Sequence, residues 1–435
     1  MNPLSARVPD TRLRRLSATL YGYLFLSDLV LLYPVYVLLF SDTGLTVGQI
    51  SALFVIWSVT AIVLEVPSGA WADTVSRRLL LCLAPLLTGV CFALWVLAGS
   101  WWAFALGFVL WGAGGALGSG ALEALVYTEL DRLGAAGRYA RTMGRGRTAG
   151  VLGVLASLGL AGPVLAAGGY LAVGAASVLS AVLAAAVATR FPEHRPAVPA
   201  PPPPPASPDA PAGPGWWASL RAGLAEARAD RRVRAAVLLV PAVTAVWGTL
   251  DEYAPLLARD TGVAASTVPL LLLPVWLGMT VGGLLAPTAE RLTTRGYAAL
   301  LALAAVALAA GAAVRQPGGF LLLGVAFCAL QLATVLADAR LQDRITGPGR
   351  ATVTSVAGMG TDLAAIVVYA GYALVAAPGG HPVAFVAAAV PYLLVAGALA
   401  VPGSGRRHRI ARRHRRRGEP APCGRCPDQS GSASR

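Results

Sequence analysis

Glu65-Val66-Pro67-Ser68-Gly69-Ala70-Trp71-Ala72-Asp73-Thr74-Val75-Ser76-Arg77-Arg78 links an apolar run that begins near Val47 to another that begins at Leu79. A charged turn this short between two span-length apolar runs makes them antiparallel neighbours, with their hairpin at a membrane surface. Gly69 permits close approach of helix backbones. Asp73 stands where it can meet a helix N-terminus or an arginine, and Arg77 with Arg78 marks the cytoplasmic side.

The rest of the 435-residue chain has the same character: 56% of its residues are hydrophobic and 13% charged, too apolar for a water-soluble protein. Span-length runs at 17–40, 47–71, 79–98, 102–127, 146–168, 170–189, 235–258, 267–288, 296–314, 319–338, 351–376 and 382–402 predict twelve crossings. All 35 basic residues are arginine, and all but Arg259 and Arg315 fall on one side of that topology. The net charge of +14 therefore expresses membrane orientation and not nucleic-acid affinity. It predicts a multi-pass plasma-membrane protein with both termini in the cytoplasm. Arg7, Arg12, Arg14 and Arg15 precede a first run without a small-residue cleavage site, so no cleaved signal peptide is expected.

Five segments follow: a cytoplasmic N-terminal segment 1–16, a six-helix bundle 17–189, a linker 190–234, a second bundle 235–402 and a basic, disordered tail 403–435. Pro201 to Pro205 and neighbouring prolines favour extended polyproline structure in the linker. Trp216, Trp217, Leu220 and Leu224 among arginines then predict a helix lying on anionic lipid headgroups. Cys423 and Cys426 in the tail, with His408 and His414 upstream, read as incidental, and no metal or other cofactor is expected.

An internal repeat supports the division. Leu38-Leu39-x2-Asp42-Thr43-Gly44-Leu45 is echoed 218 residues later by Leu256-Leu257-x2-Asp260-Thr261-Gly262-Val263. Asp73-x4-Arg78 is echoed by Glu290-x4-Arg295 at an offset of 217. The echoes fall in equivalent loops on opposite faces, as two parallel six-helix halves require.

The spacing Gly69-x3-Asp73-x3-Arg77-Arg78 resembles the loop between the second and third helices of the major facilitator superfamily, Gly-x3-Asp-basic-x-Gly-Arg-basic, and departs from it at Thr74 and Ser76. The resemblance covers roughly 15–402, excluding the linker. It implies an all-α membrane protein of twelve transmembrane helices in two pseudo-symmetric six-helix bundles, with a mid-membrane substrate site and transport by rocking of the bundles. The fifth run carries Gly159, Gly162-Pro163 and Gly168-Gly169. This is similar to the antiporter signature of drug exporters in that superfamily, though four residues separate Gly-Pro from Gly-Gly where two are usual. Close helix packing explains the same glycines. The arginine that drug/proton antiporters often carry in the fourth span is missing from 101–114.

Carboxylates inside spans cost roughly 2.5–3.5 kcal/mol near the bilayer centre, so each requires a role. Asp28 lies halfway along the first span, near Tyr33, and reads either as a proton or cation acceptor or as polar glue between helices. Asp251 and Glu252, beside Trp247 and Tyr253 in the seventh span, read as coupling or substrate groups or as part of a solvated vestibule. Asp362 stands among small residues of the eleventh span and either lines the cavity or binds helices together. Glu65, Gly69, Asp73, Arg77, Arg78, Glu123, Glu290 and Arg295 form the expected cytoplasmic gate. Acids and aromatics without a buried Arg or Lys suit a lipophilic neutral or cationic cargo. No P-loop, HExxH or GxSxG pattern occurs, and no enzymatic activity is expected. The expected function is proton-coupled efflux by a monomer whose partners are its small-molecule substrate, protons and anionic lipids. A proton-linked importer and a non-transporting sensor or scaffold are the alternatives.

Overall fold

The computed structural model describes residues 10–194, 231–345 and 350–400, and among these every long element is a helix. They are α1 (Asp10–Asp28), α2 (Tyr36–Asp42), α3 (Val47–Thr74), α4 (Arg77–Ala98), α5 (Trp101–Arg132), α6 (Tyr139–Ala188), α7 (Arg231–Arg259), α8 (Val268–Ala289), α9 (Thr294–Ala313), α10 (Gly319–Arg344) and α11 (Arg350–Ala400). Nine helical stretches among the described residues are long and apolar enough to cross a bilayer. Two of these fold back on themselves. α6 turns at Gly168 and Gly169, the latter at φ 63°, and α11 turns at Gly380, at φ 77°; a side chain would strain both. With the broken first span formed by α1 and α2, the chain makes twelve crossings. Leu97, Trp102, Leu284 and Leu374 on the outside of the bundle are each more than 70% exposed, as a lipid-facing surface allows and a water-facing one does not.

The repeat is visible in backbone detail. Gly44 and Gly262 both take left-handed backbone, at φ 90° and 84°. Gly44 N–H donates to the Ser41 carbonyl at 3.0 Å, and Gly262 N–H to the Arg259 carbonyl at 2.9 Å. On the arginine-rich face, Ser76 caps α4 by accepting from Leu79 N–H, and Thr293 caps α9 by accepting from Gly296 N–H. Each half packs its own helices, and the halves meet where α2 touches α7, α3 touches α11 and α6 touches α8.

The first span differs from the continuous helix expected over 17–40. It begins as helix at Asp10, stops at Asp28, and resumes only at Tyr36. Pro34 supplies no N–H and disfavours helical backbone at residue 33. The interruption survives because the sixth span satisfies it. Ser177 Oγ accepts from Leu32 N–H at 2.9 Å, and Ser180 Oγ donates to the Leu26 carbonyl at 2.8 Å.

The turn at 75–76 is as short as its charges imply, and Glu193 seals it: Ser76 Oγ and Arg77 N–H both donate to its carboxylate, at 2.5 and 2.8 Å. His194 N–H donates to Glu129 at 3.0 Å, fixing the chain where it leaves the first half. The expected linker and interfacial helix fall largely on 195–230, and the tail on 401–435, outside the described residues. Arg231 and Arg234 belong to the helix of the seventh span.

Candidate functional site

A cavity of about 520 Å³ runs along the first half. Tyr33, Trp111 and Trp276 form its inner end, and Phe92 and Thr88 its wall. Asp28 lies along its length, where the break in the first span leaves the residue exposed to the cavity. The mouth holds Glu123 and Arg147, side chains 53% and 72% exposed, so the cavity opens toward the arginine-rich face. Tyr33 meets Trp111 and Trp276 edge to face, with ring centroids 6.1 and 5.9 Å away.

Asp28 owes its place to glycines of the fifth span. A Cβ on Gly150 would sit 2.2 Å from Asp28 Oδ2, and one on Gly153 would sit 2.4 Å from the Phe25 carbonyl. Those two positions therefore admit only glycine while α1 stays where it is. Gly159 has open space, and Gly162 abuts the Ser266 carbonyl of the other half, where a Cβ would come within 2.3 Å. Pro163 lies inside α6, ahead of the Gly168-Gly169 turn.

Beyond Tyr33 the halves are joined. Tyr33 OH donates to Asp251 Oδ2 at 3.1 Å, Tyr36 OH donates to Glu252, and Ser51 and Tyr253 hydroxyls meet at 2.5 Å. Tyr33 and Asp251 are 218 residues apart, the offset of the repeat, so this bond lies at the pseudo-two-fold axis. Farther out, Arg259 grips Asp42 through both guanidinium nitrogens, at 2.5 and 2.9 Å, and Tyr170 OH donates to the same carboxylate at 2.5 Å. Asp251 and Glu252 are thus bound by span-one tyrosines across the interface, and they close the face opposite the cavity mouth.

Burial opposes ionisation of Asp42, yet the Arg259 and Tyr170 hydrogen bonds and the Arg259 charge outweigh it and hold the carboxyl below its ordinary value of 3.8. A depressed acid contributes its stabilisation fully above the ordinary value and loses it as pH falls through the lowered one. The closure is therefore expected to be insensitive to pH across the neutral range. R259Q is expected to raise labelling of a cysteine placed at Ser51 from the side opposite the arginine-rich face; unchanged labelling would remove Arg259 from the closure.

The other expected positions are dispersed. Trp247 is buried and donates its indole N–H to Thr334 Oγ1 at 3.0 Å, within the second half. Asp362 is half-buried on α11, away from the cavity-lining residues. Arg77 reaches Thr128 Oγ1 at 3.0 Å and the Ala124 carbonyl at 3.3 Å, bracing spans three and four, while Arg78, Glu290 and Arg295 are exposed at their turns. The side chains of Glu65, Gly69 and Asp73 lie outside the described residues.

The expectation of a cavity without a basic residue is corrected by Arg147, which lines the mouth and bonds Glu123 at 3.0 Å. Its spacing from Gly150, one helical turn on the same face, is the signal that could have found it. Trp111, Trp276 and Phe92 carry no signal beyond their apolarity.

Two six-helix halves around a central cavity, open at one face and bonded shut at the other, define a membrane transporter of the alternating-access kind. Residues 20–368 match the family model of the Major Facilitator Superfamily, and the chain belongs to that superfamily. Its fold is similar to that of a mutant of the nucleoside transporter NupG, with a TM-score of 0.69 and 13% identity over 89% of this chain and 98% of that one. A bacterial homolog of the human lysosomal transporter Spinster, inward-facing and occupied, gives 0.67 and 15% over 95% and 99%. A D-xylose-proton symporter gives 0.61 and 17% over 89% and 97%. No curated protein matches the sequence significantly.

Proposed function

We propose that the chain exports a lipophilic neutral or cationic small molecule in exchange for protons, placing it in a drug-efflux-like branch of the superfamily. The observation that carries this reading is the cavity itself: one carboxylate, Asp28, in a break of the first span, beside an aromatic end built from Tyr33, Trp111 and Trp276. Aromatic faces attract an organic cation, and a single acid in low dielectric binds either that cation or a proton. Exclusive occupancy of one acid is the simplest basis for exchange. The arginine-rich face is assigned to the cytoplasm, with both termini there and the protein in the plasma membrane. The bundles 17–189 and 235–402 are the rocking units, joined by a linker whose basic residues lie on anionic lipid. Asp28 and Tyr33 serve the cavity, and Asp251 with Glu252 serves the closure that must open when the bundles rock.

The second reading is a proton-linked importer. Arg147 at the mouth favours it, because a guanidinium suits polar or anionic cargo, and one similar fold is a D-xylose-proton symporter. A strain overexpressing the chain, challenged with a panel of compounds with and without an uncoupler, separates the two. Export predicts resistance to lipophilic cations that the uncoupler abolishes. Unchanged sensitivity, together with uncoupler-sensitive accumulation of a metabolite, overturns it.

A further inference from the structure

We propose that Arg147 and the cargo compete for Asp28: the guanidinium rests on Glu123 while Asp28 carries a proton or a cation, and crosses to Asp28 when that carboxylate is vacated. The inference rests on the reading of Asp28 as the exchanging acid and adds the group that takes its place.

Arg147, Val154 and Ser157 of the fifth span all line the cavity, and Gly150 on the same face touches Asp28. Arg147 lies three residues before Gly150, about 4.5 Å along the helix axis, within range of a long flexible side chain. Its charge already acts on Asp28. The way between them is clear, since Gly114, Gly115 and Gly118 of the fourth span line that stretch of cavity and a Cβ on Gly115 would meet nothing within 4 Å. The present partner, Glu123, is held through one guanidinium nitrogen in an exposed ion pair, a weak contact that is readily exchanged. The titratable groups facing Arg147 are Glu123 of the fourth span, Tyr139 at the base of the fifth and Asp28 of the first, with Tyr23 beside Asp28.

Coulomb's law then orders the states. A vacant, ionised Asp28 attracts Arg147. A proton removes that attraction, and a bound cation repels the guanidinium back to Glu123. One arginine between two carboxylates keeps the cavity's charge balanced in either state, and it supplies from the fifth span the cation that the fourth span lacks.

The test uses the purified full-length protein and the infrared band of the Asp28 carboxylic acid, identified by its loss in D28N. In E123Q, Arg147 has no partner but Asp28, and the pH at which the band disappears is expected to fall by about one unit or more. R147Q moves it upward, and in the R147Q background E123Q has little further effect. An unmoved band in E123Q, or an equal shift in both backgrounds, overturns the exchange. In parallel, binding of tetraphenylphosphonium is expected to weaken about tenfold in E123Q and to recover in E123Q/R147Q, since one unit of competition corresponds to tenfold in affinity. Persistent weakening in the double variant also overturns it. If the wild-type protein does not bind tetraphenylphosphonium, the cation reading fails while the infrared result still decides the exchange.

Discussion

Replacing Asp28 by asparagine is expected to lower proton-driven flux by about 10- to 100-fold, the equivalent of one lost charge-assisted contact of roughly 1.5–3 kcal/mol. The substitution preserves size, so the tight fit against Gly150 and the interrupted helix are retained. Helix content and membrane insertion should be those of the native chain. The effect is then chemical: an amide neither releases a proton nor neutralises a cation. Flux in proteoliposomes under an imposed pH gradient, with circular dichroism on the same preparation, measures both. Native pH dependence in the variant would retire Asp28 as the exchanging group.

A larger loss, of the folded protein itself, is expected from Gly278→Leu. Spans eight and ten pack backbone against backbone: a Cβ at Gly278 would lie 2.1 Å from the Gly324 carbonyl oxygen, and one at Gly282 would lie 2.2 Å from that of Cys328. No rotamer relieves such contacts, because the obstacle is main chain. The helices must separate, and the cost reaches or exceeds the upper end of ordinary overpacking, about 3 kcal/mol. The neighbouring Gly283 has nothing within 4 Å of a Cβ, so Gly283→Leu is the control and should be tolerated. Size-exclusion profiles and thermal denaturation in detergent distinguish them; equal behaviour would refute the account of this interface.

The architecture is legible in the sequence because its signals are local. A short charged hairpin, the sidedness of the arginines and the repeated Asp-Thr-Gly turn all act within a few residues, and Gly44 and Gly262 adopt the conformation that glycine alone takes readily. The break after Asp28 is only half visible. Pro34 announces an interruption, but the hydroxyls that make it tenable come from Ser177 and Ser180, about 150 residues away. The pairing of Tyr33 and Tyr36 with the seventh-span acids is likewise long-range, and nothing near Asp251 indicates it. Arg147 reads as a loop charge because arginines cluster where spans end. Which of those charges turns inward depends on the face shared with Gly150, and packing decides that.

Almost every described side chain around the cavity comes from the first half, with Trp276 the contribution of the second. Duplicated modules that began alike have thus diverged in task, one holding the passenger while the other supplies the lever and the lock. Variants with altered substrate preference should accordingly map before the linker. Changes in turnover at constant preference should be scattered through both modules.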